Sequence, residues 1–219
     1  MKRENHFFGK SFCLLFLLLI ANQIYAQGDK LKLFQIQSGI IEYKYSGNEV
    51  GKSILYFDNY GNRSAINLDT KEDGEIRKAW IISLGEYQYI FDPSKPNEGF
   101  KLKNPMIEWI HQNKHKDVEK FNEETYTKLG MKKAGTEKFL GKECIAYKGN
   151  DGKVLTWKGI LMLMDSKIAG THTKQEVTSI KTNIPVDQKY FVIPKSIKFS
   201  EMPMFGNPPI EDEEDDEIE

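Results

Sequence analysis

Cysteine is nearly absent from this 219-residue chain, with only Cys13 and Cys144 present. Cys13 lies in an N-terminal apolar run that reads as a cleaved address, which leaves Cys144 alone and excludes an intramolecular disulfide in the mature chain. Beyond residue 21 no apolar stretch approaches the ~20 residues that a membrane-spanning helix needs. There is no phosphate-cradling glycine loop and no Gly-x-Ser-x-Gly elbow, and Gly141-Lys142-Glu143-Cys144 carries no cysteine-hydrolase signature. Lysines are scattered among strand positions and do not gather with aromatics, so nucleic-acid binding is not expected, and neither is a cofactor.

What the chain does have begins with its first 26 residues. Lys2, Arg3 and Lys10 precede the apolar run Phe12 to Ala21, and Asn22 to Ala26 ends on a small residue. That order is a secretory signal peptide, with cleavage expected after Ala26. A lipid-anchored protein would carry its cysteine just after the apolar run, whereas Cys13 stands at its front, so a soluble exported protein is expected. The periplasm of a Gram-negative bacterium is the natural destination. The remainder, 27–210, is long enough for one well-buried core. The tail Glu211 to Glu219 holds eight acidic residues and no basic one. It reads as a disordered solubilising segment, and the body before it is net positive.

From Ser38 to Asp92 the pattern is strand after strand. Ile41, Tyr43 and Tyr45 alternate with Glu42 and Lys44, and further runs follow at Ile54 to Phe57, Ala65 to Leu68, Ile76 to Ser83 and Tyr87 to Phe91. Their connections are too short for parallel crossovers, so the meander is antiparallel. Both faces of Trp80-Ile81-Ile82 and Tyr89-Ile90-Phe91 are apolar, as in a sheet curved around something and covered on both sides. Helix is expected from Pro105, with Asn104 as N-cap and Met106, Ile107 and Ile110 on one side. A second helix is expected from Asp117 to Gly130 with the stripe Val118, Phe121, Thr125 and Leu129. Leu140 to Asp165 then reads as a β-hairpin about Asn150-Asp151-Gly152, with Cys144 as a small buried apolar residue. Val177 to Lys181 and Ser196 to Ser200 are further strands.

Chemistry is thinly represented. Glu108, His111 and His115 share one helical face at a spacing that can hold a divalent metal, but their neighbours Gln112, Asn113, Lys114 and Lys116 read as a solvated helix end, so no metal site is expected. The large side chains of the strands point to a cavity for a lipid or other apolar ligand. Tyr43, Tyr45, Leu55, Phe57, Ile81, Tyr89, Phe91, Trp157 and Met162 are its expected lining.

The succession Gly141-Lys142-Glu143-Cys144, Tyr147, Thr156-Trp157-Lys158-Gly159-Ile160, Glu176-Val177-Thr178-Ser179-Ile180 and Phe191-Val192-Ile193-Pro194 resembles a group of exported bacterial proteins. That group is similar in turn to the periplasmic lipoprotein carriers LolA and LolB. The resemblance is clearest from about Tyr126 to Phe199. It implies an α+β fold, a curved antiparallel sheet forming a half-open barrel closed by one or two helices on its concave side. It also implies an envelope location, and apolar-ligand binding without catalysis. The alternative is an envelope scaffold whose barrel is filled and whose partner is another envelope protein.

Overall fold

The computed structural model describes residues 32–95, 97–112, 118–168 and 170–201. The expected signal peptide, His115 and the acidic tail lie outside these residues.

Six strands form the first half: β1 (Gly39–Gly47), β2 (Glu49–Asp58), β3 (Arg63–Glu72), β4 (Glu75–Leu84), β5 (Tyr87–Phe91) and β6 (Glu98–Lys103). They pair in sequence order, each antiparallel to the next. Two helices follow, α1 (Pro105–Gln112) and α2 (Val118–Lys128). A second meander comprises β7 (Lys132–Phe139), β8 (Lys142–Gly149), β9 (Gly152–Trp157), β10 (Ile160–Ile168) and β11 (Thr171–Thr182). β11 returns to pair with β1, which fuses the two meanders, and β12 (Lys198–Glu201) adds parallel to β6 at the far edge. The result is one twelve-stranded, curved and unclosed sheet in the order β12-β6-β5-β4-β3-β2-β1-β11-β10-β9-β8-β7. With two helices among the described residues, this is the expected half-open α+β barrel.

Local chemistry explains most of the punctuation. The β3–β4, β7–β8 and β9–β10 turns each place two residues at positive φ, namely Asp73-Gly74, Leu140-Gly141 and Lys158-Gly159. That backbone twist matches the twist of the flanking strands. Gly159 is needed twice over, because a Cβ there would lie 2.8 Å from Leu33 O and from Val118 Cγ1. Asn104 Oδ1 accepts the Met106 N–H at 3.2 Å, capping α1 just ahead of Pro105. α2 ends where Gly130 takes φ 78 and the Met131 N–H reaches Tyr126 O at 2.9 Å. Register shifts at Glu42/Tyr43, Lys133/Thr136 and Leu161/Leu163 bend the strands that carry them.

Two strands differ from the sequence expectation. β6 lies inside the stretch Pro93 to Pro105, whose prolines mask a short run that pairs with β5. β7 is exposed along most of its length and has no apolar alternation to reveal it; its lysines and its shift near Gly135 suit a sheet edge. The stripe of α2 is also displaced. Its buried residues are Val118 and Asn122, Leu129 is 56% exposed, and Phe121 instead meets Trp109 of α1 edge to face at 5.2 Å.

Both faces of the sheet are covered. On one, Ile41, Tyr43, Leu55 and Phe57 join Met162 and Val177 in a core cluster. On the other, the connection between β11 and β12 crosses the sheet as a strap. Its Val186, Phe191 and Ile197 pack onto Tyr56, Ala65, Ile82 and Phe91. Tyr190 stacks on Tyr56 with ring centroids 3.8 Å apart.

Candidate ligand cavity

The period-two geometry of a strand sends alternate side chains to one face, and directly paired residues share that face. Tyr43 pairs with Ser53 and Ile41 with Leu55 across β1–β2, and Leu55 pairs with Ile66 across β2–β3. Tyr43, Ser53, Leu55 and Ile66 form the concave wall, and Ile41 is fully buried in the core cluster. Met106 of α1 and Asn122 and Tyr126 of α2 stand over it, and Leu161 of β10 and Gln175 of β11 flank it. Phe34, ahead of β1, packs edge to face on Phe57 at 4.8 Å and lies at one end. The space is a partly open cleft of about 270 Å³, and no charged side chain is among its described lining residues.

Its polar groups are few and neutral. The Tyr43 hydroxyl donates to Leu161 O at 3.0 Å, and the Tyr45 and Ser53 hydroxyls lie 3.1 Å apart. Burial pushes the Tyr43 and Tyr45 phenols above their usual range and pushes Tyr126 up to about 12. Each is therefore an uncharged hydrogen-bonding group at neutral pH. Tyr126 also rests on Tyr147 at 5.0 Å, which anchors α2 to β8.

Of the nine residues expected to line a cavity, Tyr43, Tyr45 and Leu55 are in the wall. Phe57 and Met162 are fully buried in the neighbouring core. Ile81 continues the row of Leu55 and Ile66 one strand further on. Tyr89 and Phe91 belong to the opposite face, where both meet Phe199 of β12 edge to face. Trp157 is half-buried beside the core, with the Lys142 and Lys158 ammonium groups 4.8 and 5.3 Å from its ring centroid. Sequence reasoning missed the polar lining residues Ser53, Asn122 and Gln175, and among the others Phe34, Ile66, the helix residues Met106 and Tyr126, and Gly159, Ile160 and Leu161 at the start of β10. Ser53 was within reach, because it lies two residues from Leu55 on the same strand face.

Other candidate chemistry is dispersed. His111 is exposed at the end of α1, and the described residues contain no group of three His, Cys, Asp or Glu placed to hold a metal ion. Cys144 is fully buried, its thiol donates toward Lys142 O at 3.6 Å, and burial raises its pKa, so it is a packed and protonated side chain. His172 Nε2 lies 2.9 Å from Asp165 Oδ1 on the partly exposed β10–β11 hairpin, away from the cavity.

No family model and no curated protein matches this sequence. Among solved structures, the chain is similar to an uncharacterised conserved protein from Thermus thermophilus, with TM-score 0.50 and 7% identity, covering 84% of this chain and 99% of that one. It also matches the Pseudomonas aeruginosa MucA/MucB complex at TM-score 0.42 and 10% identity, covering 78% of this chain and 62% of that one. A LolA superfamily protein from Nitrosomonas europaea matches at TM-score 0.32 and 13% identity, covering 79% and 97%. These are likenesses of fold. The half-open barrel itself is read from this chain's own strand order, a twelve-stranded unclosed sheet with two helices among the described residues. Among the described residues no helix is long and apolar enough to cross a membrane.

Proposed function

We propose that this chain is an exported, non-enzymatic protein that binds an apolar ligand between its curved sheet and its helices. The observation that carries this reading is the partly open cleft of about 270 Å³ beside Tyr43 and Leu55, with no charged side chain among its described lining residues. A pocket of this kind, mostly apolar with a few placed polar groups, is the usual form of a small-molecule site. Binding would come from burying apolar surface, each methylene contributing about 0.8 kcal/mol. The signal-like first 26 residues support export to the cell envelope. The test is mass spectrometry of organic extracts from natively purified protein, together with titration of a fluorescent apolar probe. Co-purifying apolar compounds that the probe displaces are the expected result. Extracts free of such compounds, with no probe binding, would sink the proposal.

The rival reading is an envelope scaffold with a filled barrel. It draws support from Phe57 and Met162, both at 0% exposure and packed in the core cluster. It predicts that the same extracts are empty.

A further inference from the structure

Polarity changes along the cavity in the direction of β2. At one end Ser53 meets Tyr45, and Tyr45 pairs in register with Gln175 of β11. Two residues on, Leu55 pairs with Ile66, and beyond them Phe34 lies against Phe57. The cavity thus has a hydrogen-bonding end and an apolar end.

The polar end is made for a neutral group. Two hydroxyls that share one hydrogen bond commit one proton between them and leave the other free for an acceptor, and the Gln175 amide supplies both a donor and an acceptor. Among the described residues no lysine or arginine lines the cleft. A carboxylate or phosphate buried here would have no counter-charge, and an ammonium would likewise be unpaired; either would bear the full cost of desolvation.

The size is equally restrictive. An apolar cavity of about 150 Å³ accepts one benzene, so the roughly 270 Å³ within the cleft covers about ten heavy atoms, enough for one short chain and too small for two.

We propose that the ligand is a single uncharged amphiphile of about ten heavy atoms, a medium-chain alcohol, ester or amide, with its head at Tyr45, Ser53 and Gln175 and its chain toward Leu55, Ile66 and Phe34. This rests on the apolar-ligand reading above and narrows it to a ligand class.

The experiment is calorimetric titration of the ligand-stripped protein at neutral pH with 1-decanol, decanoate and decylammonium, together with a series of alcohols. Decanol is expected to bind at least about tenfold more tightly than either ion, because burying an unpaired charge costs several times one tenfold step. Affinity should rise up to about fourfold per methylene and level off near ten carbons. Decanoate or decylammonium binding as tightly as decanol would overturn this inference and leave the apolar-ligand reading standing, as would a rise that continues through tetradecanol. Binding of none of the probes would overturn both. Tyr45→Phe should weaken octanol about fivefold or more and leave octane unchanged, whereas equal octanol affinity in the variant would overturn the head assignment.

Discussion

On β2, Ile54 and Tyr56 point to one side of the sheet and Ser53, Leu55 and Phe57 to the other, and the two sides are covered by different kinds of chain. The outer side meets the strap between β11 and β12, an extended segment with one short 3-10 turn, Gln188–Phe191. It follows the sheet closely enough for Tyr190 to stack on Tyr56 at 3.8 Å and for Arg63 to lie over Phe191 at 5.0 Å. The inner side meets two helices, each a stiff cylinder about 10 Å across that cannot follow a curved surface. They touch one another through Trp109 and Phe121 and the sheet through Tyr126 and Tyr147, and the cavity is the space left between those contacts. An extended cover fills a concavity or convexity; a helical cover spans it.

That contrast can be broken most forcefully on the outer side. Phe191→Ala should cost about 3–5 kcal/mol in urea unfolding, because the residue is 5% exposed in a filled cluster, while probe affinity of the folded protein changes less than about twofold. A loss near zero would mean that the strap is loosely laid and the two covers are alike. Leu161→Phe tests the inner side in the opposite direction. Added volume should cut probe affinity at least about tenfold and change stability by less than about 1 kcal/mol, since it enters empty space. A destabilisation of about 1–3 kcal/mol, as in an overpacked core, would show that the space is not available.

The smallest effect is alkaline and concerns both sides. Tyr126 over the cavity and Tyr56 under the strap are each pushed up to about 12 by burial, and Tyr190 adds to the shift at Tyr56. Phenols free in the unfolded chain ionise near pH 10, so above that pH the unfolded state loses protons first and stability falls as pH rises, until the folded groups ionise near 12. Tyr126→Phe should remove less than about 1 kcal/mol of that loss at pH 10.5, measured as the change in urea midpoint against pH. A variant whose pH profile matches the wild type would mean that Tyr126 is solvated and that the roof is open.

Much of the fold was legible because its signals are local. The strand faces of β1 and β2 follow from alternation at Ile41, Tyr43 and Tyr45 and at Leu55 and Phe57. Asn104-Pro105 marked the start of α1 through cap chemistry that needs no distant partner. Strands without such a signal escaped: β7 is a polar edge, and β6 is hidden between Pro96 and Pro105. The cavity was half legible. Large apolar residues advertised a wall, but Tyr89 and Phe91 are as apolar as Leu55 and belong to the other face, and Asn122 gave no apolar signal on its helix.

The sequence by itself determined which residues of one strand share a face and where α1 begins, since these depend on neighbours a few positions apart. Only the tertiary structure decided what covers each face. The pairing of β11 with β1, the parallel addition of β12, the strap over Tyr56 and the bond from Tyr43 to Leu161 across 118 residues all join segments distant in the chain. A two-residue period says that Tyr43 and Leu55 look the same way. It carries no information on whether a helix or a strap will meet them, and that choice left a cleft on one face and closed the other.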